Sequence, residues 1–188
     1  MRITGGTHGG RILKSPKDRT IRPTSDKVRL AMFNMLNARG LVQDSVVLDA
    51  FCGTGALGLE ALSQGALCCI FMDKNRQSLD LAKDNFAALK MDAQHYFILK
   101  DATKPAPKPD NIQPANLVFF DPPYNQGLVQ QSLESLINQG WIADDAVVLV
   151  ETETGFDTGV LRLFGCDILF TRDYGDTRIT MAHRLAKV

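Results

Sequence analysis

The stretch VLDAFCGTGALGLEALSQGALC, residues 47–68, leaves few folds open. An apolar run ends at Asp49, Gly53, Gly55 and Gly58 follow at G-x-G-x-x-G spacing, and a helix-compatible segment starts at Ala56. Glycines there let the backbone turn tightly and approach a partner that a Cβ would exclude. A strand that turns through glycines into a helix needs a following parallel strand to complete its core, reached by a right-handed crossover.

The pattern continues down the chain. Residues 46–49, 69–73, 97–100, 117–121 and 147–151 read as short buried strands. Between them, 56–64, 77–90 and 128–138 have helical composition, and Leu79, Ala82, Phe86 and Leu89 form an apolar stripe. The tail predicts two further strands, 160–171 and 178–184, joined by the turn-rich DYGDT as an antiparallel hairpin at one edge. The Pro-rich segment 104–114 reads as a surface loop between strands, and there is no internal repeat. The expected fold class is α/β: a mostly parallel sheet covered on both faces, with a C-terminal antiparallel hairpin and a small basic N-terminal extension. At 188 residues and 45% hydrophobic composition the chain suits one domain with a substantial core.

The formal net charge of zero hides a polarity. Residues 1–29 hold eight Lys or Arg against Asp18 and Asp26, a local charge of +6, and the remainder carries −6. A basic arm on an acidic body predicts that one region meets an anionic partner. The arm is rich in Gly and Pro, so the reading allows it only short strands near 2–4 and 11–13. A helix is expected to start near 24, capped by Thr24 or Ser25, with Val28, Met32 and Leu36 facing a core. Lys27 and Arg29 lie off that line, which with Arg22 would offer three cations to a phosphate backbone. The division expected is an RNA-contacting extension at 1–29 and a catalytic domain at 30–188.

No apolar run is long enough to span a membrane, and the first ten residues lack a signal-peptide core. A soluble, cytoplasmic protein with no membrane partner is expected. Cys52, Cys68, Cys69 and Cys166 show neither metal-ligand spacing nor the density of a disulfide scaffold, so no metal is expected.

The glycine block with Asp73, 20 residues beyond Gly53, could describe a dinucleotide site. Asp49 before the turn, Asp101 after the next strand and DPPY at 121–124 tilt the reading elsewhere. Asp49 and the turn would orient an amino-acid tail, Asp73 a ribose and Asp101 an adenine amine, in a ligand without pyrophosphate. S-adenosylmethionine is such a ligand. Phe51, Cys52 and Thr54 lie in the turn, and Lys74 and Ala102 follow two of the acids, so these also count as candidate cofactor-binding residues. Cys52 has no adjacent histidine to activate it and reads as an inert, buried thiol.

In DPPY, the Asp121 carboxylate and the Pro122 carbonyl can accept the two hydrogens of an exocyclic amine, while Tyr124 stacks on its plane. Those bonds strengthen as positive charge develops on nitrogen, so they favour the transition state. Asp121, Pro122 and Tyr124 are therefore the candidate catalytic residues. The geometry leaves guanine, adenine and a glutamine carboxamide open as acceptors.

The sequence resembles the RsmD family of bacterial 16S rRNA guanine-N2 methyltransferases. RITGG and GR in the arm, IRPTSDKVRLAMFNML at 21–36, the glycine block, FFDPPY at 119–124 and LINQGW followed by VVLVE carry the likeness. The resemblance implies a Rossmann-like class I fold using S-adenosylmethionine and modification of guanine 966 of 16S rRNA in assembling 30S subunits; a monomer is expected. It marks Arg22, Thr24, Lys27, Arg29, Phe33 and Asn34 as candidates for RNA positioning or for organising the site rim. With Arg2 and Arg11 of the arm, all but Phe33 make up the RNA-binding expectation. Family members commonly have Glu at the position of Leu30 and Ala or Ser at that of Cys52. An adenine-N6 methyltransferase and a non-enzymatic RNA-binding module are the alternatives; the latter leaves the glycine turn and DPPY without a purpose.

Overall fold

The computed structural model describes residues 1–15, 25–123 and 127–186. Seven strands form one sheet: β1 (Val46–Asp49), β2 (Cys68–Asp73), β3 (Gln94–Leu99), β4 (Ala115–Phe120), β5 (Ile142–Glu153), β6 (Cys166–Tyr174) and β7 (Thr177–Arg184). Their order is β3-β2-β1-β4-β5-β7-β6. The first five run parallel, and β7 pairs antiparallel with both β5 and β6. This is a Rossmann-like sheet, mostly parallel with antiparallel C-terminal strands. The order reverses between β1 and β4, and a crevice opens beyond the carboxyl ends of strands at such a point.

Alternation of side chains along each strand feeds two cores. Val47, Leu117 and Phe119 face α1 (Asp26–Asn37), α2 (Ala56–Ser63) and α3 (Arg76–Leu89). Leu48, Val118 and Phe120 face α4 (Leu128–Asn138) and Trp141. Burial on both faces explains why β1, β2 and β4 read as unbroken apolar runs rather than alternating ones. On α3 the stripe Leu79, Ala82, Phe86 and Leu89 is buried as its spacing requires.

The hairpin segment departs from expectation. Residues 158–164 form a 3-10 helix, Thr158–Phe164, and β6 starts only at Cys166. Asp157 caps the turn by accepting from the Gly159 amide at 2.9 Å, and Leu161 is fully buried. A cap followed by one apolar anchor outweighs strand propensity here. Strands β3 and β5 also start earlier than read, at Gln94 and Ile142. Both early starts lie beside turns, where apolar content is a poor guide to pairing.

The arm is folded onto the body. Arg2 and Ile12 form an isolated antiparallel bridge, and Ile3 and Leu13 join the core under α1–α3. Ser25 caps α1 by accepting from the Val28 amide. The division at residue 29 falls inside α1, so this helix belongs at once to the arm and to the domain core.

Candidate active site

Three carboxylates arrive side by side because β1 and β2 end in Asp49 and Asp73 and Asp101 follows β3 in the same parallel sheet. The turn after β1 stays tied to both neighbours: the Ala50 amide donates to Phe119 O at 3.0 Å and the Cys52 amide to Met72 O at 3.0 Å. Gly53 and Gly55 then take positive φ, 52° and 77°, with Gly55 forming the left-handed N-cap of α2. Gly58 is needed for contact rather than for φ. A Cβ there would lie 2.5 Å from Cys69 Sγ and 2.5 Å from Phe71 Cε1, so α2 can lie this close to β2 only with glycine.

Asp49 is 1% exposed and its Oδ2 accepts from the Gly58 amide at 3.0 Å. Burial pushes its carboxyl up to about 7, opposed by the Gly58 amide and reinforced by the charge of Asp73. Asp73 accepts from Gly53 N through Oδ2 at 3.0 Å and from Asn75 N through Oδ1 at 2.8 Å. Both oxygens are oriented while each keeps a second lone pair for a hydroxyl donor. Asp101 is pushed up by partial burial, but the Thr103 amide and hydroxyl on Oδ1, with Lys74 and Lys104 nearby, leave it below its ordinary value.

These groups discriminate between cofactors. Helix N-termini attract phosphate through their free amides. Here an amide of the first turn of α2 is given to Asp49, and Asp73 lies close enough to raise the pKa of Asp49. A pyrophosphate would meet two carboxylates, whereas a cationic ligand with a free amino group meets complementary charge. The donor set thus fits S-adenosylmethionine: Asp49 and the turn could hold its amino-acid end, Asp73 could accept from the ribose and Asp101 from the base. Phe51, Thr54 and Lys74 flank this crevice in partly or fully exposed positions, while Cys52 and Ala102 are buried. Burial, with the charges of Asp49 and Asp73, raises the Cys52 thiol, the setting of an inert packed cysteine rather than an activated one.

The second half of the site lies one strand away. β4 ends at Phe120, so Asp121 sits just past the strand rather than on it. Asp49 pairs with Phe119, and the Phe51 ring packs against Phe120 with centroids 6.3 Å apart. Asp121 is half-buried, Pro122 buried and Pro123 exposed. The DPP turn therefore adjoins the glycine turn across the switch point. Tyr124, Arg22 and Thr24 lie outside the described residues. Phe33 is fully buried with its ring 5.6 Å from Phe119, a support beneath β4 and not a surface for RNA.

Arg2, Arg11, Lys27 and Asn34 are exposed, but the expectation that Arg29 meets RNA is corrected. Arg29 is 0% exposed; its guanidinium donates to Glu60 Oε2 at 3.2 Å, Asp26 Oδ1 at 2.8 Å and the Arg2 carbonyl. It stands at the spacing of Met32, Phe33 and Leu36, on the inner face of α1. Its counterpart Glu60, also fully buried, accepts from Thr4 N at 2.7 Å and Gly5 N at 2.8 Å. Ser63 adds bonds to Gly5 O and from His8 N. Glu60, Ser63 and Asn85 were not among the sequence candidates. An acid inside the otherwise apolar LGLEAL was the available signal for Glu60.

The family model described as conserved hypothetical protein 95 matches residues 1–183. The ribosomal RNA small subunit methyltransferase D of Escherichia coli (strain K12) is 37% identical over 153 residues, spanning 81% of this chain and 75% of its own. The protein of the same name from Haemophilus influenzae is 32% identical, spanning 81% and 79%. Among solved structures, yhhF of Escherichia coli, assigned as a methyltransferase, superposes with a TM-score of 0.81 at 31% identity, covering 100% of this chain and 99% of its own. With the site geometry and this breadth of similarity together, the chain belongs to the RsmD family of S-adenosylmethionine-dependent methyltransferases.

Proposed function

We propose that the protein methylates the exocyclic N2 of one guanosine in bacterial 16S rRNA, guanine 966, in the assembling small subunit. It would act in the cytoplasm as a monomer. The observation that carries this reading is the DPP turn standing beside the glycine turn in a chain 37% identical to a ribosomal RNA small subunit methyltransferase. Among the described residues no helix is long and apolar enough to cross a membrane, and none of the His, Cys, Asp and Glu side chains cluster to hold a metal.

S-adenosylmethionine supplies an electrophilic methyl group on a sulfonium. The work left to the protein is to make a poor nucleophile attack it, since the amine lone pair is delocalised into the base. Asp121 and the Pro122 carbonyl accept the two N–H bonds, which localises that lone pair and stabilises the charge developing on nitrogen. Two consecutive prolines disfavour a local helix, so no following helical amide competes for that carbonyl. As the N–C bond forms and the C–S bond breaks, the amine proton passes to Asp121 or to water. Tyr124 stacks on the base, while Arg2, Arg11, Arg22, Thr24, Lys27 and Asn34 hold flanking phosphates and sugars. Phosphate contacts of this kind position an RNA without reading its sequence.

Labelled methyl transfer to naked 16S rRNA and to purified 30S particles, with nucleoside mapping, tests the proposal. N2-methylguanosine at a single position, formed with the 30S particle, is expected. N6-methyladenosine, or product only on DNA or protein, would overturn it.

A further inference from the structure

Asn85, in the last turns of α3, is 1% exposed and spends its whole side chain on main-chain groups. Its Oδ1 accepts from Lys14 N at 2.8 Å, and its Nδ2 donates to Lys14 O at 3.1 Å and to Thr54 O at 3.0 Å. The amide thus pairs with Lys14 as a neighbouring strand would, and its remaining hydrogen holds the middle residue of the Gly53-Thr54-Gly55 turn. Glu60 and Ser63 bond residues 4–8, and Asp26 and Arg29 bond the Arg2 main chain, and none of these reaches that turn. Asn85 thus hydrogen-bonds both the N-terminal arm and the cofactor loop through main-chain groups, beside the long Thr54 Oγ1–Met1 Sδ contact at 3.8 Å.

We propose that Asn85 is a positioning residue for the cofactor: it sets the Thr54 carbonyl, and with it the Gly53 and Gly55 backbone, and makes that setting depend on a seated arm. The inference rests on the glycine turn being the cofactor site. A turn with two positive-φ glycines has few side chains to pack and is soft unless an outside group holds it. The Gly53 amide is held by Asp73 at the end of β2, and Asn85 of α3 holds the next residue. Because the same amide grips Lys14, displacing the arm leaves the Asn85 group unsatisfied and loosens the loop.

The test compares Asn85→Asp with Ser63→Ala by calorimetric titration of S-adenosylhomocysteine, thermal melting and steady-state methylation. Asn85→Asp keeps the acceptor for Lys14 N but turns an oxygen toward two carbonyls. Loss of the loop bond predicts a Kd and a KM for the cofactor raised about tenfold, with kcat at saturation within about twofold. Ser63→Ala breaks bonds to Gly5 and His8 and leaves the Lys14–Asn85–Thr54 bonds in place, so it should lower the melting temperature and leave the cofactor Kd unchanged. If Asn85→Asp does not fold, Asn85→Ser takes its place. An unchanged Kd in the folded Asn85 variant, or equal Kd changes in both variants, overturns the inference. Calorimetry needs no RNA, so failure of the guanine assignment would appear separately, as intact cofactor binding with the wrong methylated product.

Discussion

Replacing Arg29 by Met separates a structural cation from an RNA-binding one. The substitution keeps much of the side-chain volume and removes donors to Glu60, Asp26 and the Arg2 carbonyl. Glu60 then remains fully buried without its countercharge, held by the Thr4 and Gly5 amides and by Gln64. Breaking a buried ion pair by deleting one partner costs about 3–5 kcal/mol. For a chain of this size each kcal/mol moves the melting temperature by roughly 2–4 °C, so a fall of roughly 6–20 °C is expected. Arg29→Met combined with Glu60→Gln should recover part of the loss, because the orphaned charge is removed with its partner. Urea melts of the two single variants and the double give the coupling, and filter binding at several salt concentrations gives the RNA affinity. A stable Arg29→Met protein with weakened, less salt-dependent RNA binding would refute the structural role.

Asp121→Ala should reduce methyl transfer at least 100-fold while cofactor affinity stays within about twofold, given the usual weight of one transition-state acceptor; near wild-type turnover would remove Asp121 from the mechanism. Asp49 predicts a proton linkage: with its folded carboxyl at about 7 against an ordinary 3.8, the folded state retains a proton that the unfolded chain releases. The contribution of Asp49 to stability therefore falls as pH rises from about 4 to about 7 and is level above. Melting temperatures of Asp49→Asn should lack this component, and identical pH slopes in both proteins would contradict it. Gly58→Ala should destabilise by about 1–3 kcal/mol, as overpacking does, and weaken cofactor binding, because the added carbon meets Cys69 and Phe71 at 2.5 Å. A melt unchanged from wild type would show that α2 can lift off the sheet freely.

Sequence alone determined the alternation of buried strands and amphipathic helices, the glycine turn with its strand-end acids, and the placing of Asp121, Pro122 and Pro123 at the end of a strand. Those features are local: apolar periodicity, turn chemistry and residue spacing along a single element express them directly. Tertiary structure decided the rest. The face of α1 that carries Arg29 is charged in sequence and buried in the fold, because Glu60 from a distant helix supplies its counter-ion. Asn85 sits among the apolar positions of α3 and acquires meaning only when Lys14 and Thr54 arrive from either side. The segment 158–164 became a capped 3-10 helix because a single buried anchor, Leu161, fixes its path. A polar side chain's role depends on which partner reaches it, and partners 31 to 71 residues apart are brought together by packing that no local pattern encodes.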